Sequence, residues 1–306
     1  MSRIHEALKK AEQERAMSQP TREAAPSAMD APIEPAGTFT STAFTSATIA
    51  GAPSALSFAP ESLLTRCRQT TWTPDPKTML FFSGEEHAAG MEEFRTLRSR
   101  LYQAREKQPL SKLLVTSALP KEGKSFTASN LAQVIVRQHG RRVLLLDADL
   151  RNPQLHNLLG AEPGPGLSEY LRSETDEFSI IQRGPMENLF LIPAGVNSGN
   201  PAELLANGRL KFLLSRLETM FDWIIVDSAP AVPVADAALL ANFCDGVLLV
   251  VRSNSTPIDA ARKARKEFAE RNVVGVVLNG ITPELSPYSQ YYYSAYGSEP
   301  KAEAKN

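Results

Sequence analysis

The sequence predicts an α/β fold with a doubly wound, mostly parallel sheet, helices on both of its faces, and flexible N-terminal and C-terminal tails. Short runs of consecutive apolar residues, such as 143–146 and 223–226, are typical of strands covered on both faces. Segments with helical spacing separate these runs, and strands that alternate with helices favour a parallel sheet. Both runs are followed directly by an aspartate, at the strand end where open α/β sheets bind ligands.

Residues 112–125, KLLVTSALPKEGKS, contain a candidate phosphate-binding loop. Apolar residues predict a strand over 113–115 and a helix over 126–138. Between them, residues 118–125 fit the P-loop pattern, with Ala in place of the first Gly, and this predicts a P-loop NTPase fold. Gly123 lets the backbone approach phosphate, Lys124 can reach the β- and γ-phosphates, and the Ser125 hydroxyl can bind Mg²⁺. The predicted nucleotide-binding residues are Pro120, Lys121, Glu122, Gly123, Lys124, Ser125 and Phe126.

Three aspartates follow predicted strands downstream of this loop. Asp147 and Asp149 follow the run at 143–146, and Asp227 follows the run at 223–226. An aspartate that ends an apolar strand after a phosphate loop is the expected carboxylate of a magnesium site. These residues are therefore predicted to lie at the same site as the phosphate loop.

The remaining elements are predicted from periodicity and from helix-start signals. Helices are expected over 92–103, 210–220, 233–242 and 257–271, and strands over 188–192, 246–251 and 273–278. A further helix is expected to start at Pro201, with Asn200 as its cap. Glu92, Arg95 and Arg98 recur every three residues and share a charged helix face, which is either a solvated surface or an interface.

Composition divides the chain into four predicted parts. Residues 1–16 form a short amphipathic helix, interpreted either as a frayed tail or as a docking helix for a partner. Residues 17–76 are rich in Pro, Ala, Ser and Thr and are expected to form a disordered tether. The P-loop domain is expected over 77–286, and a tyrosine-rich tail over 287–306.

The charge and cysteine content favour a protein of the cytoplasm. The net charge of −1 offers no general electrostatic attraction for nucleic acid or for an anionic membrane. The two cysteines, Cys67 and Cys244, lack metal-ligand spacing and fit a reducing compartment. No apolar run approaches the roughly 18 residues that span a bilayer, so a membrane location is expected only through a partner.

Five of the seven tyrosines lie close together near the C-terminus. Their segment has neither helical nor strand spacing, and Ser, Gln and Gly separate them. Tyrosines used for packing would be expected beside apolar neighbours, so we interpret this cluster as exposed phosphorylation sites; a β-pairing tail is the alternative. The cluster comprises Tyr288, Tyr291, Tyr292, Tyr293 and Tyr296.

Together these motifs resemble the bacterial tyrosine autokinases of capsule and exopolysaccharide synthesis, often called BY-kinases, over about residues 77–297. The family's three nucleotide-site motifs are similar to residues 117–125, 144–151 and 224–230. Its helix motif Glu-x-x-Arg-x-x-Arg matches Glu92, Arg95 and Arg98, and the tyrosine cluster completes the set. The chain lacks the two membrane helices of many members and so resembles the split type. Residues 1–15 also resemble autokinases of exosortase-associated loci.

The resemblance implies a protein-tyrosine autokinase that uses ATP and Mg²⁺. Lys124 would hold the β- and γ-phosphates and Ser125 would bind Mg²⁺. Asp227 would bind the ion directly or through water, and Asp149 would do so through water. Asp147 would orient or deprotonate the incoming tyrosine hydroxyl. The implied partners are a separate membrane polysaccharide co-polymerase (a Wzz-like chain-length protein) as activator, further copies in a ring, and a phosphotyrosine phosphatase.

Two other functions fit the same nucleotide site. One is a partition-type ATPase, similar to MinD and ParA, that positions cargo and phosphorylates nothing. Those ATPases carry a signature Lys five positions before the phosphate-contacting Lys, and here that position is Leu119. The other is a regulatory module that only senses ATP. Leu119 and the tyrosine cluster favour the kinase.

Overall fold

Eight strands form the central sheet of the computed structural model, which describes residues 66–82, 90–138, 140–196 and 199–281. The strands are β1 (Arg68–Gln69), β2 (Lys112–Ser117), β3 (Val143–Asp147), β4 (Gln182–Arg183), β5 (Leu189–Ile192), β6 (Trp223–Asp227), β7 (Gly246–Arg252) and β8 (Val273–Asn279). Their order across the sheet is β1-β4-β5-β3-β6-β2-β7-β8. Strand β6 lies between β2 and β3, and β7 and β8 lie on the other side of β2.

The prediction of a mostly parallel sheet is confirmed. The six strands from β5 to β8 across the sheet run parallel to one another. The exceptions are β4, which pairs antiparallel with β5, and β1, which runs parallel to β4. The sequence did not predict these two strands, because a two-residue strand is too short to show periodicity.

Helices cover both faces of the sheet, as the apolar strand runs predict. They are α1 (Met91–Lys107), α2 (Lys124–Val136), α3 (Leu155–Leu159), α4 (Leu167–Leu171), α5 (Pro201–Ala206), α6 (Gly208–Leu217), α7 (Asp236–Ala241) and α8 (Ile258–Glu267). Each predicted helix in the described residues is present, whereas the two five-residue helices α3 and α4 were not predicted. Helix α5 begins at Pro201 with Asn200 at its N-cap position, as predicted, although the Asn200 side chain makes no capping hydrogen bond.

Alternate residues of each central strand pack into separate apolar clusters on the two faces of the sheet. In β3, for example, Leu144 and Leu146 belong to one cluster, and Val143 and Leu145 belong to the other. The first cluster includes apolar residues of α6 and α7, and the second includes those of α1 and α2. Among the described residues, no helix is long and apolar enough to cross a membrane.

Packed structure begins before the domain boundary predicted at residue 77. Trp72 is buried, and its ring lies so close to Gly184 that a Cβ there would meet it at 2.2 Å. The backbone N–H of Leu80 donates to Asn130 Oδ1 at 2.9 Å, and the Asn130 amide donates to the Thr78 carbonyl at 2.9 Å. Residues 78–80 therefore pack against α2, the helix that follows the phosphate loop. The predicted helix at 1–16 and most of the tether lie outside the described residues.

Replacing Trp72 tests the start of the packed structure. Trp72→Ala should lower the free energy of unfolding by about 3–5 kcal/mol, because it removes a large side chain from a closed core. Lys77→Ala, at an exposed position, should change it by less than about 0.5 kcal/mol. Denaturant unfolding of both variants provides the comparison. Equal stabilities would support a folded part that begins only at residue 77.

Candidate active site

Parallel pairing brings the ends of three strands together at one edge of the sheet. Strand β6 lies between β2, which leads into the phosphate loop, and β3. Asp227 at the end of β6 is in register with Asp147 on β3 and with Val115 on β2. The sheet therefore places the predicted carboxylates beside the predicted phosphate loop. This point, where the strand order reverses, is where open α/β sheets bind ligands.

The phosphate loop ends where helix α2 begins, at Lys124. Gly123 precedes the helix with φ of 93°, a left-handed conformation that glycine adopts without strain. Lys121 also has a positive φ, of 66°, and its side chain is exposed. Because the first N–H groups of an α-helix have no partner within the helix, the N-terminus of α2 is suited to bind an anion.

Lys124 connects the phosphate loop to the carboxylates. Its Nζ lies 2.7 Å from Asp149 Oδ2, 3.6 Å from Asp227 Oδ2 and 3.2 Å from Ser125 Oγ. Burial alone would lower the pKa of Lys124, but the charges of Asp227 and Asp149 outweigh burial and raise it. The side chain is therefore held as a cation at the point predicted for the β- and γ-phosphates.

Asp227 is fully buried, and neither of its carboxylate oxygens has a hydrogen-bond partner among the described residues. Burial raises the pKa of Asp227 to about 6, while the charge of Lys124 acts in the opposite direction. A buried acceptor without a partner is rare in proteins and calls for an explanation such as an ion. Carboxylate oxygens suit Mg²⁺, which binds to few protein ligands and takes the others from water and phosphate. The described residues accordingly contain no cluster of three His, Cys, Asp or Glu side chains suited to hold a metal alone.

Asp147 is also fully buried, but both of its oxygens are used by the backbone. Oδ1 accepts the N–H of Asp149 at 3.2 Å, and Oδ2 accepts those of Gln154 and Leu155 at 3.1 and 3.0 Å. Burial and the charge of Asp227 raise the pKa of Asp147. In this arrangement, Asp147 shapes the loop after β3 and has no exposed oxygen to offer a tyrosine hydroxyl.

An ion pair that the sequence analysis missed connects the two loops that carry the carboxylates. The Arg151 guanidinium donates to both oxygens of the buried Asp236 at 2.6 and 2.9 Å. Arg151 follows Asp149 in the loop after β3, and Asp236 begins helix α7 after β6. Arg151 ends the segment 144–151 that resembles a family motif, but no local signal marks Asp236 as its partner.

The charged face predicted on α1 is only partly present. Glu92 and Arg95 form an ion pair on this helix, with Glu92 exposed. Arg98 is half-buried and donates from Nη1 to the Val134 carbonyl at 2.9 Å. Arg98 thus binds the C-terminal turn of α2, where a cation is favourable. The five tail tyrosines, the other predicted functional group, lie outside the described residues.

Three curated relatives are tyrosine kinases by name. The chain is 36% identical over 217 residues to tyrosine-protein kinase YwqD of Bacillus subtilis, covering 70% of this chain and 90% of that protein. It is 34% identical to the putative tyrosine-protein kinase EpsB of Ralstonia nicotianae and 31% identical to tyrosine-protein kinase wzc of Salmonella typhimurium. The matches cover 70% and 72% of this chain but only 30% and 31% of those two proteins. No protein-family model matches the chain.

Solved structures with the same fold include kinase domains. The kinase domain of Escherichia coli tyrosine kinase ETK superimposes with a TM-score of 0.61 at 28% identity, covering 76% of this chain and 95% of that one. The chimerical protein CapA2B2 gives 0.62 at 27% identity, covering 71% and 96%. The ATP complex of Cyanothece McdA, at 22% identity and 0.50, shares the fold alone.

The unpaired carboxylate of Asp227 leads to a prediction about stability. Asp227→Asn should leave the unfolding temperature of the nucleotide-free protein unchanged or higher, because it removes a buried negative charge that Lys124 must share with Asp147 and Asp149. Thermal unfolding in EDTA measures this effect. Asp236→Asn is the matched control and should lower the unfolding temperature, because it weakens the Arg151 pair. A large loss of stability in Asp227→Asn would contradict the absence of a partner.

Proposed function

The chain belongs to the family of bacterial tyrosine-protein kinases, and on that premise we propose that it phosphorylates its own C-terminal tyrosines with ATP during capsule or exopolysaccharide synthesis or export. The observation that carries the proposal is the position of Lys124, at the start of α2 and between Asp149 and Asp227. Phosphoryl transfer depends mainly on positioning and charge neutralisation, and this site supplies a phosphate loop, a cation and carboxylates.

We assign the nucleotide contacts to the phosphate loop. The N–H groups at the N-terminus of α2 would bind phosphate oxygens, and Lys124 would neutralise the β- and γ-phosphates. Ser125 and Asp227 would hold Mg²⁺, with Asp149 contributing through water. The ion would neutralise charge on the transferred phosphoryl group. The two unpaired oxygens of Asp227 support this assignment.

The geometry changes the role that we propose for Asp147. The resemblance implies that Asp147 orients or deprotonates the tyrosine hydroxyl, but its oxygens accept three backbone N–H groups. We instead assign Asp147 to holding the loop that carries Asp149. Because the tyrosine hydroxyl has a pKa near 10, its proton would then leave late in the transfer or pass to another acceptor.

We propose that transfer occurs in trans within a ring of unphosphorylated subunits. Exposed Glu92 and half-buried Arg95 on α1 would contribute to the subunit interface, with Arg98 supporting the helix from within. Each phosphotyrosine adds about −1.5 to −2 charge, so five would add roughly −8 to −10. Repulsion from a pocket that contains three aspartates would expel the modified tail and loosen the ring, because a closed ring needs every interface.

A separate membrane protein is the activator that we propose. By its resemblance to the split type, the kinase would act in the cytoplasm and be recruited to the inner membrane surface by the tail of a polysaccharide co-polymerase. That tail would raise nucleotide affinity, and a phosphotyrosine phosphatase would reset the cycle. Full autokinase activity without any such tail would count against this activation.

Lys124→Met should abolish phosphotyrosine formation in purified protein with ATP and Mg²⁺, because the substitution removes the ammonium group at the phosphate site. Immunoblotting for phosphotyrosine measures the effect, and circular dichroism checks the fold. Lys211→Met, an exposed position on α6, is the matched control and should keep wild-type activity. Unchanged autophosphorylation of Lys124→Met would refute the kinase site. If the wild-type protein hydrolyses ATP but forms no phosphotyrosine, the partition-type ATPase becomes the better function.

Transfer between subunits predicts labelling in a mixture. Lys124→Met protein with an intact tail should acquire phosphotyrosine when it is incubated with an active protein truncated after residue 286. Light scattering should show smaller particles once wild-type protein is fully phosphorylated, because the ring loosens. If the inactive partner is never labelled, transfer occurs in cis and the ring proposal is wrong.

A further inference from the structure

Glu122 occupies a position that the P-loop pattern leaves free, yet its side chain is buried. Its Oε2 accepts the N–H of Leu119 at 2.8 Å, and its Oε1 accepts the hydroxyl of Thr256. Thr256 lies in the turn between β7 and α8, and its hydroxyl also accepts the N–H of Arg252 at 3.0 Å. A carboxylate in the phosphate loop thus contacts the turn after β7, and it is absent from the ion pairs of Lys124.

Two further hydrogen bonds hold the phosphate loop from the side of β7 and β8. Arg252 Nη1 donates to the carbonyl of Lys121 at 3.0 Å, and Asn279 Nδ2 donates to the carbonyl of Glu122 at 2.9 Å. Asn279 ends β8, and its own carbonyl accepts the N–H of Ser253 at 2.8 Å. The contacts therefore come from the adjoining ends of β7 and β8, and they bind consecutive carbonyls of the phosphate loop.

The close packing of Gly123 against Asn279 is a further observation that the phosphate loop contacts the end of β8. A Cβ at Gly123 would lie 2.0 Å from Asn279 Nδ2. Glycine is thus favoured at position 123 for a second reason besides its left-handed φ, because Asn279 occupies the space that a side chain would need. The loop and the end of β8 fit together at the point where α2 begins.

We propose that Glu122, Thr256 and Asn279 are positioning residues that hold the phosphate loop in its nucleotide-binding shape before a nucleotide arrives. The proposal rests on the nucleotide site assigned above and adds the means by which its loop is ordered. Since the carbonyls of Lys121 and Glu122 are bound on the β7–β8 side, the loop is fixed from that side. The N–H groups at the start of α2 then remain available for phosphate.

Preorganisation has a measurable consequence for affinity. If the loop must become ordered during binding, the free-energy cost of that ordering makes nucleotide binding less favourable and raises the dissociation constant. The effect should be similar for ADP and ATP, because it acts on the loop and not on the γ-phosphate. The rate of phosphoryl transfer at saturating ATP should stay close to wild type, since Lys124 and the carboxylates are unchanged.

Thr256→Val tests the proposal in the full-length protein, because it keeps the branched shape and removes the hydroxyl. We expect the dissociation constants of ADP and ATP, measured by calorimetry with Mg²⁺, to rise about tenfold. The rate of autophosphorylation at saturating ATP should remain within about twofold of wild type. Thr256→Ser should restore affinity to within about twofold, and Ser255→Ala, which removes the adjacent exposed hydroxyl, should leave it unchanged.

Asn279→Ala supplies a second variant if Thr256→Val folds poorly. It removes the amide bond to Glu122, and the dissociation constants should rise about fivefold. Wild-type affinity in both variants, with only a lower unfolding temperature, would overturn the proposal, because the contacts would then serve stability alone. Because calorimetry reads binding without transfer, a protein that binds ADP but forms no phosphotyrosine refutes the kinase proposal and leaves this one standing.

Discussion

The site depends on one buried lysine that must balance three buried aspartates. Lys124 lies 2.7 Å from Asp149 and 3.6 Å from Asp227, and Asp147 faces Asp227 across the paired strands. One positive charge cannot compensate three carboxylates away from water. Burial, together with the neighbouring carboxylates, accordingly raises the pKa values of Asp147 and Asp227. Proteins tolerate such a cost mainly where function uses it. The Mg²⁺ that we propose for this site would neutralise the remaining negative charge.

The sheet order creates this concentration of charge. Because β6 inserts between β2 and β3, the residue that ends β6 has the phosphate-loop strand on one side and the Asp147 strand on the other. Each carboxylate has a different supporting contact. Asp147 is held by backbone N–H groups, and Asp149 by Lys124 and the N–H of Asn152. Asp227 has only the ion pair with Lys124 at 3.6 Å and no hydrogen-bond partner among the described residues. These differences separate three residues that look equivalent in the sequence, and Asp227 is the one of the three whose oxygens accept no hydrogen bond from the described residues.

Local patterns predicted the parts of this structure that local physics determines. The continuous apolar runs of β2, β3, β6 and β7 predicted a parallel sheet. The helix after the phosphate loop was predicted from residue 126, two residues after α2 begins at Lys124. The two-residue strands β1 and β4 could not be predicted, because they are too short to show periodicity. Arg98 could not be assigned from its three-residue spacing, since its contact is the carbonyl of Val134 on another helix. The bonds of Asp147 and the Arg151–Asp236 pair likewise form only when the loops are brought together.

Glu122 lies at a position where the P-loop pattern allows any residue, yet its side chain makes specific contacts. The pattern requires only backbone there, and a carboxylate so close to bound phosphates would repel them if it faced the site. In this fold, the hydroxyl of Thr256, 134 residues away in the chain, and the N–H of Leu119 satisfy that carboxylate. The negative charge is thereby directed to contacts that order the loop, and the phosphate-binding side keeps its N–H groups and Lys124. Repulsion between carboxylate and phosphate alone would exclude Glu122 from the loop. Glu122 is compatible with the loop because the turn after β7 and the end of β8 hold it in this arrangement.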